Sequence, residues 1–303
     1  MKNISKIGIV GAGTMGQRIA FACVTSGKET RLFDIVPEAI EEARRVVQSW
    51  IRERVADGRS EPGTLESASS LMSISPSLKD CVSDVDLAIE TVPENIELKR
   101  KVFAEIDQYA NSETLIGSNS SSIPGSRLAD ATKRPEKVFN FNFGPPEDPK
   151  VEVMGHPLTA SSTIEAAMKF VKALGLVPIL VKREIMGYAG NRVWRAIKKE
   201  VLFLLDGGYV TFEDIDRSWM LEWKTSIGPC GLMDIVGLDV VRDIELVYYE
   251  ASGDPSDRPP KLLLEMIEQG KLGVKSGEGF YKYPSPAYKQ PGWLRSVNYK
   301  GDS

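Results

Sequence analysis

Lys6-Ile7-Gly8-Ile9-Val10-Gly11-Ala12-Gly13-Thr14-Met15-Gly16 is the stretch whose reading decides the fold. Its first half, 6–10, has the apolar and β-branched composition of a buried strand. Its second half spaces Gly11, Gly13 and Gly16 as GxGxxG, and a helical stretch over 17–26 follows at once. In the order strand, tight turn, helix, each glycine has a physical task. The first permits the turn, the second lets backbone approach a pyrophosphate, and the third lets the helix pack on the strand. The helix N-terminus then offers unpaired N–H groups and a partial positive charge to phosphates. A second strand over 30–33 ends on Asp34, a carboxylate able to accept hydrogen bonds from a ribose 2'-hydroxyl. No arginine follows closely to hold a 2'-phosphate, so NAD is expected rather than NADP, with flavin dinucleotide as the rival ligand. Glycines that only close a turn, beside an Asp34 that only caps a helix, are the plainer alternative.

Outward from this turn, Pro37 opens a long helix that runs through Arg52 and Arg54. Strand, helix and strand in about thirty residues make a parallel βαβ unit. Gly58, Pro62 and Gly63 then separate two helical patterns, which predicts a helical hairpin inserted near 45–75. Apolar runs at 85–89, 114–117, 138–143, 151–154 and 177–181 each read as a buried strand, with helices at 96–109 and 161–174 between them. Beyond 181 the pattern turns purely helical, at 187–205, at a short segment capped by Thr211, at 228–252 and at 259–269. The expectation is an α/β chain: a Rossmann-type doubly wound sheet over 1–184, then a smaller all-α domain over 185–303.

The composition limits what such a chain can do. Thirty-eight basic residues against forty-two acidic ones give a net charge of -4, and neither sign forms a block, so no nucleic-acid or anionic-membrane footprint is expected. Cys23, Cys81 and Cys230 lie too far apart for a disulfide framework or a metal cluster, which implies a reducing cytoplasm and no metal. The N-terminal apolar run is too short and too glycine-rich for a signal peptide, and no apolar run reaches the roughly eighteen residues of a membrane span. A soluble protein is expected.

Six segments carry a resemblance: GIVGAGTMG at 8–16, ETVPENIELKRKVF at 90–103, SNSSSIP at 118–124, GNRV at 190–193, IGPCGLMDIVGLDVV at 227–241 and GKLGVKSGEGFYKY at 270–283. In this order and spacing the chain resembles, over nearly its whole length, the L-3-hydroxyacyl-CoA dehydrogenase family with its 3-hydroxybutyryl-CoA members. The resemblance implies an NAD-binding domain, a helical domain like the C-terminal one of 6-phosphogluconate dehydrogenase, a homodimer built through that domain, and an acyl-CoA substrate. It implies a histidine that accepts the 3-hydroxyl proton while hydride leaves C3, a glutamate that orients the histidine, and a serine and an asparagine that bond the reacting oxygen. By motif the serine is Ser121, the asparagine Asn191 and the glutamate Glu152. The same correspondence puts Gly11, Gly13, Thr14, Met15, Gly16, Asp34, Glu90, Glu94, Lys99 and Asn119 on the cofactor side. Read without the family, Ser121 belongs to a polar loop at the carboxyl edge of a strand, where such sheets bind ligands, and Asn191 could equally be a helix residue bonded to backbone.

The histidine position departs from the pattern: counted from Ser121, it is Asn142 in VFNFNFGPP. The chain's one histidine, His156, sits in a Gly-His-Pro turn expected to be exposed. An amide takes up no proton, and general-base help is worth about 10²- to 10⁴-fold, or roughly 3 to 5 kcal/mol of barrier. The loop after Asn142 is about two residues shorter than the family pattern. It contains Glu147 and Asp148, which are either replacement bases or ordinary solvated carboxylates. Lys224 is a candidate anchor for an anionic substrate or a surface lysine. Arg52, Arg54 and Arg59 are available for CoA phosphates or form a solvated face. Three functions follow: a 3-hydroxyacyl-CoA dehydrogenase with a modified proton relay, an NAD dehydrogenase of a small hydroxy acid, aldehyde or amine without CoA, and a non-catalytic NAD-binding homologue.

Overall fold

The computed structural model describes residues 3–144 and 148–296. The chain divides into two compact units, Met1–Ala189 and Gly190–Ser303. The first is built on an eight-stranded sheet in the order β3-β2-β1-β4-β5-β6-β7-β8. Its strands are β1 (Lys6–Val10), β2 (Glu29–Phe33), β3 (Met72–Ile74), β4 (Leu87–Glu90), β5 (Leu115–Ser118), β6 (Val138–Phe143), β7 (Lys150–Gly155) and β8 (Val177–Val181). Neighbours are parallel except β6 and β7, which pair antiparallel with Asn142 opposite Glu152.

Apolar side chains alternate between the two faces of these strands, and each face carries its own core. On one, Ile7, Ile9, Leu32, Phe139, Phe141, Val151 and Val153 pack under α1 (Thr14–Thr25), α2 (Pro37–Ala56) and α7 (Ser161–Ala173). On the other, Ala88, Ile116 and Val138 meet α4 (Leu78–Val82), α5 (Ile96–Tyr109) and α6 (Ser126–Ala129). Helices on both faces of a mostly parallel sheet leave the carboxyl ends of the strands as the open edge. Because β7 runs backwards, its first residues, Lys150 to Glu152, lie at that same edge.

Several expectations change. The hairpin exists as α2 and α3 (Thr64–Leu71), but the residues after α3 form β3, which pairs with β2 and ends the sheet. Three residues are too few to give a strand signal of their own; the neighbouring edge of β2 recruits them. The expected burial of 177–181 also fails: β8 is the opposite edge, and Val177, Ile179 and Leu180 are exposed. His156 is buried rather than exposed, with ring Nε2 2.9 Å from Pro135 O and Nδ1 accepting from Leu158 N at 3.3 Å.

The second unit is helical: α8 (Tyr188–Asp206, its first two residues belonging to the first unit), α9 (Phe212–Trp223), α10 (Pro229–Val236), α11 (Leu238–Ser252) and α12 (Lys261–Glu268). The single helix expected over 228–252 is broken at Gly237, whose φ of 99° no ordinary helical residue adopts. Two buried carboxylates tie the turn-rich C-terminal segment to the helices. Asp216 accepts from Cys230 N, Gly231 N and the Tyr281 hydroxyl, and Asp234 from Phe280 N, Tyr281 N and the Tyr283 hydroxyl. Burial raises the pKa of both above the ordinary carboxylate range. Among the described residues no helix is long and apolar enough to cross a membrane.

Candidate functional site

At the open edge, β1 delivers the chain into the glycine turn. Gly11 has a φ of 113°, and a Cβ on Gly16 would overlap the Gly11 carbonyl oxygen, so the first and third glycines are required by the turn and by helix packing. Gly13 has a different reason: a Cβ there meets nothing within 4 Å, so its backbone faces open space. Gly13 is the N-cap of α1 and makes no side-chain cap bond, which leaves the first N–H groups of the helix to an outside acceptor. Thr14 is exposed and Met15 half-buried on the same first turn.

Asp34 closes the turn from the neighbouring strand. Its Oδ2 accepts from Ala12 N at 2.7 Å and its Oδ1 from Val36 N at 2.9 Å. A carboxylate offers about four lone-pair sites, so acceptor capacity remains for ribose hydroxyls. An exposed helix start beside a clamped carboxylate fits the diphosphate and adenosine ribose of NAD.

Glu90 and Lys99 are differently placed. They are 0% and 1% exposed and form a buried ion pair with Lys99 Nζ 2.7 Å from Glu90 Oε1. Glu90 also accepts from Ser118 Oγ at 2.7 Å and Val92 N at 2.7 Å, and burial nonetheless pushes its pKa up. This pair braces the ends of β4 and β5 from inside. Glu94 is more exposed. Burial acts to raise its pKa, but hydrogen bonds from the Ser120 and Ser122 hydroxyls, with Lys99 3.3 Å away, outweigh that and hold it below the usual range. The network shapes the loop that carries Ser121, whose side chain is exposed. Asn119 ties the same loop to β6 by accepting from Phe143 N at 3.2 Å.

The second cluster lies at the ends of β6 and β7. Asn142 Nδ2 donates to Glu152 Oε2 at 2.8 Å, and Glu152 Oε1 accepts from Ala189 N at 2.9 Å. Glu152 is only 1% exposed. Facing a carboxylate fixes the amide orientation: nitrogen inward, Oδ1 turned away. Tyr188, buried and held at a φ of 52°, places its hydroxyl 2.9 Å from both Ser120 O and Phe141 O, binding the serine loop to β6. Asn142, Glu152 and the Ser121 loop are therefore gathered by backbone and side-chain ties within the first unit. Asn191 belongs to the second unit and is exposed on α8.

Of the remaining candidates, Asp148 caps the start of β7 by accepting from Lys150 N at 2.9 Å, and Glu147 lies outside the described residues. Lys224 is exposed at the end of α9 in a left-handed conformation. Arg59 pairs with Asp57 at 2.7 Å, Arg54 lies 5.8 Å from the Phe21 ring, and exposed Arg52 bonds Gln48. All three cysteines are free and buried, and burial pushes the Cys23 and Cys81 thiols up to about 12, which keeps them un-ionised.

Comparison with known proteins agrees with this fold. The profile of the 3-hydroxyacyl-CoA dehydrogenase NAD-binding domain matches residues 6–185, and that of the C-terminal domain matches 187–283. The chain belongs to the 3-hydroxyacyl-CoA dehydrogenase family. It is 31% identical over 283 residues to the 3-hydroxybutyryl-CoA dehydrogenase of Mycobacterium tuberculosis, across 92% of this chain and 99% of that one. It is 32% identical over 286 residues to the 5-formyl-3-hydroxy-2-methylpyridine 4-carboxylate 5-dehydrogenase of Mesorhizobium japonicum, across 92% of this chain and 91% of the relative. The crystal structure of (S)-3-hydroxybutyryl-CoA dehydrogenase from Ralstonia eutropha superposes with a TM-score of 0.87 at 33% identity, covering 93% of this chain and all of that one. This family member is an NAD-dependent dehydrogenase with a Rossmann-type sheet and a helical C-terminal domain.

Sequence reasoning missed Tyr188, Lys150 and the Ala189 N–H at this site. A backbone donor and a tyrosine in a left-handed turn leave no pattern, but Lys150 does. Once 150–155 is a strand, its period of two places Lys150 and Glu152 on one face.

Proposed function

We propose that this dehydrogenase interconverts a 3-hydroxyacyl-CoA and the corresponding 3-ketoacyl-CoA. The observation that carries the reading is the Asn142–Glu152 pair, held at the open edge beside the serine loop of a chain whose NAD turn is intact. Bound NAD supplies the hydride acceptor or, when reduced, the donor. Gly11, Gly13, Gly16 and the first turn of α1, with Thr14 and Met15, receive the diphosphate, and Asp34 accepts from the ribose. Glu90, Lys99, Glu94 and Asn119 act through the loops they brace. Ser121 and Asn191 donate to the reacting oxygen, and Asn142 Oδ1 accepts from the substrate hydroxyl and orients it. Glu152 fixes Asn142 as it would fix an imidazole. Asn142 positions and transfers no proton, which is the sense in which the relay is modified.

The assay is NADH oxidation with acetoacetyl-CoA and NAD reduction with L-3-hydroxybutyryl-CoA. Turnover of the CoA esters and not of free acetoacetate or 3-hydroxybutyrate supports the reading, and the reverse preference refutes it. A substrate without CoA is the second reading, favoured by the similarity to the Mesorhizobium enzyme, which is named for a pyridine carboxylate.

We also propose a homodimer through the helical unit, which exposes Phe203, Leu221, Trp223 and Ile235. Light scattering that finds a monomer at micromolar concentration refutes it. The three unpaired thiols support a reducing cytoplasm.

A further inference from the structure

The proposed reaction moves a proton at the substrate oxygen, and Asn142 moves none. The surroundings of Glu152 contain a group that does. Side chains alternate along β7, so Lys150 and Glu152 share the face of Asn142, while Val151 and Val153 face the core under α7. Lys150 Nζ lies 3.5 Å from Glu152 Oε2, the oxygen that also accepts from Asn142. Glu152 is 1% exposed, whereas Lys150 keeps 36% of its side chain accessible. One end of this contact is buried beside Asn142 and the other meets water, which is the connection a proton relay needs.

We propose, on the footing of the reaction assigned above, that Lys150 is the catalytic proton donor and acceptor of this dehydrogenase. In the reducing direction, the bound reduced coenzyme would supply the hydride for the new C–H bond at the ketone carbon, and the carbonyl π pair would move onto oxygen. The oxygen then takes a proton from Lys150 Nζ: an N–H bond breaks, an O–H bond forms, and the neutral amine is reprotonated from solvent. Oxidation runs these steps backwards, with the neutral amine taking the hydroxyl proton.

Among the described residues, the following charged and titratable groups lie near Lys150. Glu152 shares its strand, Asp148 caps the strand's start, and the Tyr188 hydroxyl is bonded to Ser120 O and Phe141 O. β6 presents the neutral Asn142, β8 is wholly apolar, and the charges of α7 stand on the opposite face of the sheet.

The test compares wild type with Lys150→Arg and Lys150→Gln, using acetoacetyl-CoA reduction, L-3-hydroxybutyryl-CoA oxidation from pH 6 to 10, and NADH fluorescence titration. Arginine keeps the positive charge beside Glu152 but releases no proton in this range. The expected result is a fall in kcat of about 100-fold or more in both variants, with NADH affinity unchanged and the pH profile of oxidation altered. A Lys150→Arg enzyme within about threefold of wild-type kcat and with the same pH profile overturns the role, because charge alone would then suffice. A wild type that binds NADH but turns over no carbonyl compound overturns the reaction assigned above, and the role of Lys150 falls with it.

Discussion

Replacing Asn142 with histidine tests the site most directly, because the geometry says where the new ring would go. The Nδ2 of asparagine and the Nδ1 of histidine are each one bond beyond Cγ. A histidine in the same side-chain orientation thus sets Nδ1–H where Nδ2 now donates, 2.8 Å from Glu152 Oε2. That bond selects the tautomer with Nε2 unprotonated, the form a general base requires. A positioned base is worth about 10²- to 10⁴-fold, or about 3 to 5 kcal/mol of barrier. The sign with pH follows: imidazole accepts a proton only when neutral, so Asn142→His oxidation should rise through about pH 6.5 and then level off. The advantage over wild type should reach about 100-fold or more near neutrality. The assay is NAD reduction with L-3-hydroxybutyryl-CoA over pH 5.5 to 10, with thermal melting and NADH titration as controls. If the variant folds and binds NADH yet gains nothing at any pH, Asn142 does not stand at the reacting centre, and the argument from Glu152 fails.

Three further outcomes follow from the same structure. Asp34→Ala removes the acceptor of Ala12 N and of the ribose; NADH affinity should drop about tenfold or more, the equivalent of one hydrogen bond to a charged group, and an unchanged titration would exclude that contact. Gly16→Ala puts a methyl group into the Gly11 carbonyl and should cost about 1 to 3 kcal/mol in denaturant unfolding together with most NADH binding; a variant as stable as wild type would show that the turn relaxes freely. Lys99→Met leaves the Glu90 charge buried without its ion partner, a loss of about 3 to 5 kcal/mol that Glu90→Gln should partly restore in the double variant; additive losses in the four-way comparison would deny the coupling.

Most of the fold is legible because each central strand is a short apolar run between turn residues, and the run 138–143 is recovered to the residue. The failures lie where tertiary contacts overrule local pattern. Residues 72–74 become a strand because β2 offers an unpaired edge, and His156 is buried because Pro135 O receives its ring. Gly237 looks like an interior helix residue until its backbone turns left-handed. At the site, the glycine turn and Asp34 are local motifs and could be read directly. The partnership of Asn142 with Glu152 crosses an antiparallel pairing that no spacing announces, and the Lys150 contact needs both the strand's extent and its facing.

Asp34 carries a cost for anyone wishing to change the coenzyme. The carboxylate expected to select a bare ribose also fastens the loop to the second strand through Ala12. Exchanging it for a small or basic residue, to make room for an extra phosphate on the adenosine, would loosen the very cradle that the diphosphate needs. A switch to NADPH in this scaffold therefore calls for two coordinated changes, one that welcomes the phosphate and another that gives the Ala12 amide a new acceptor.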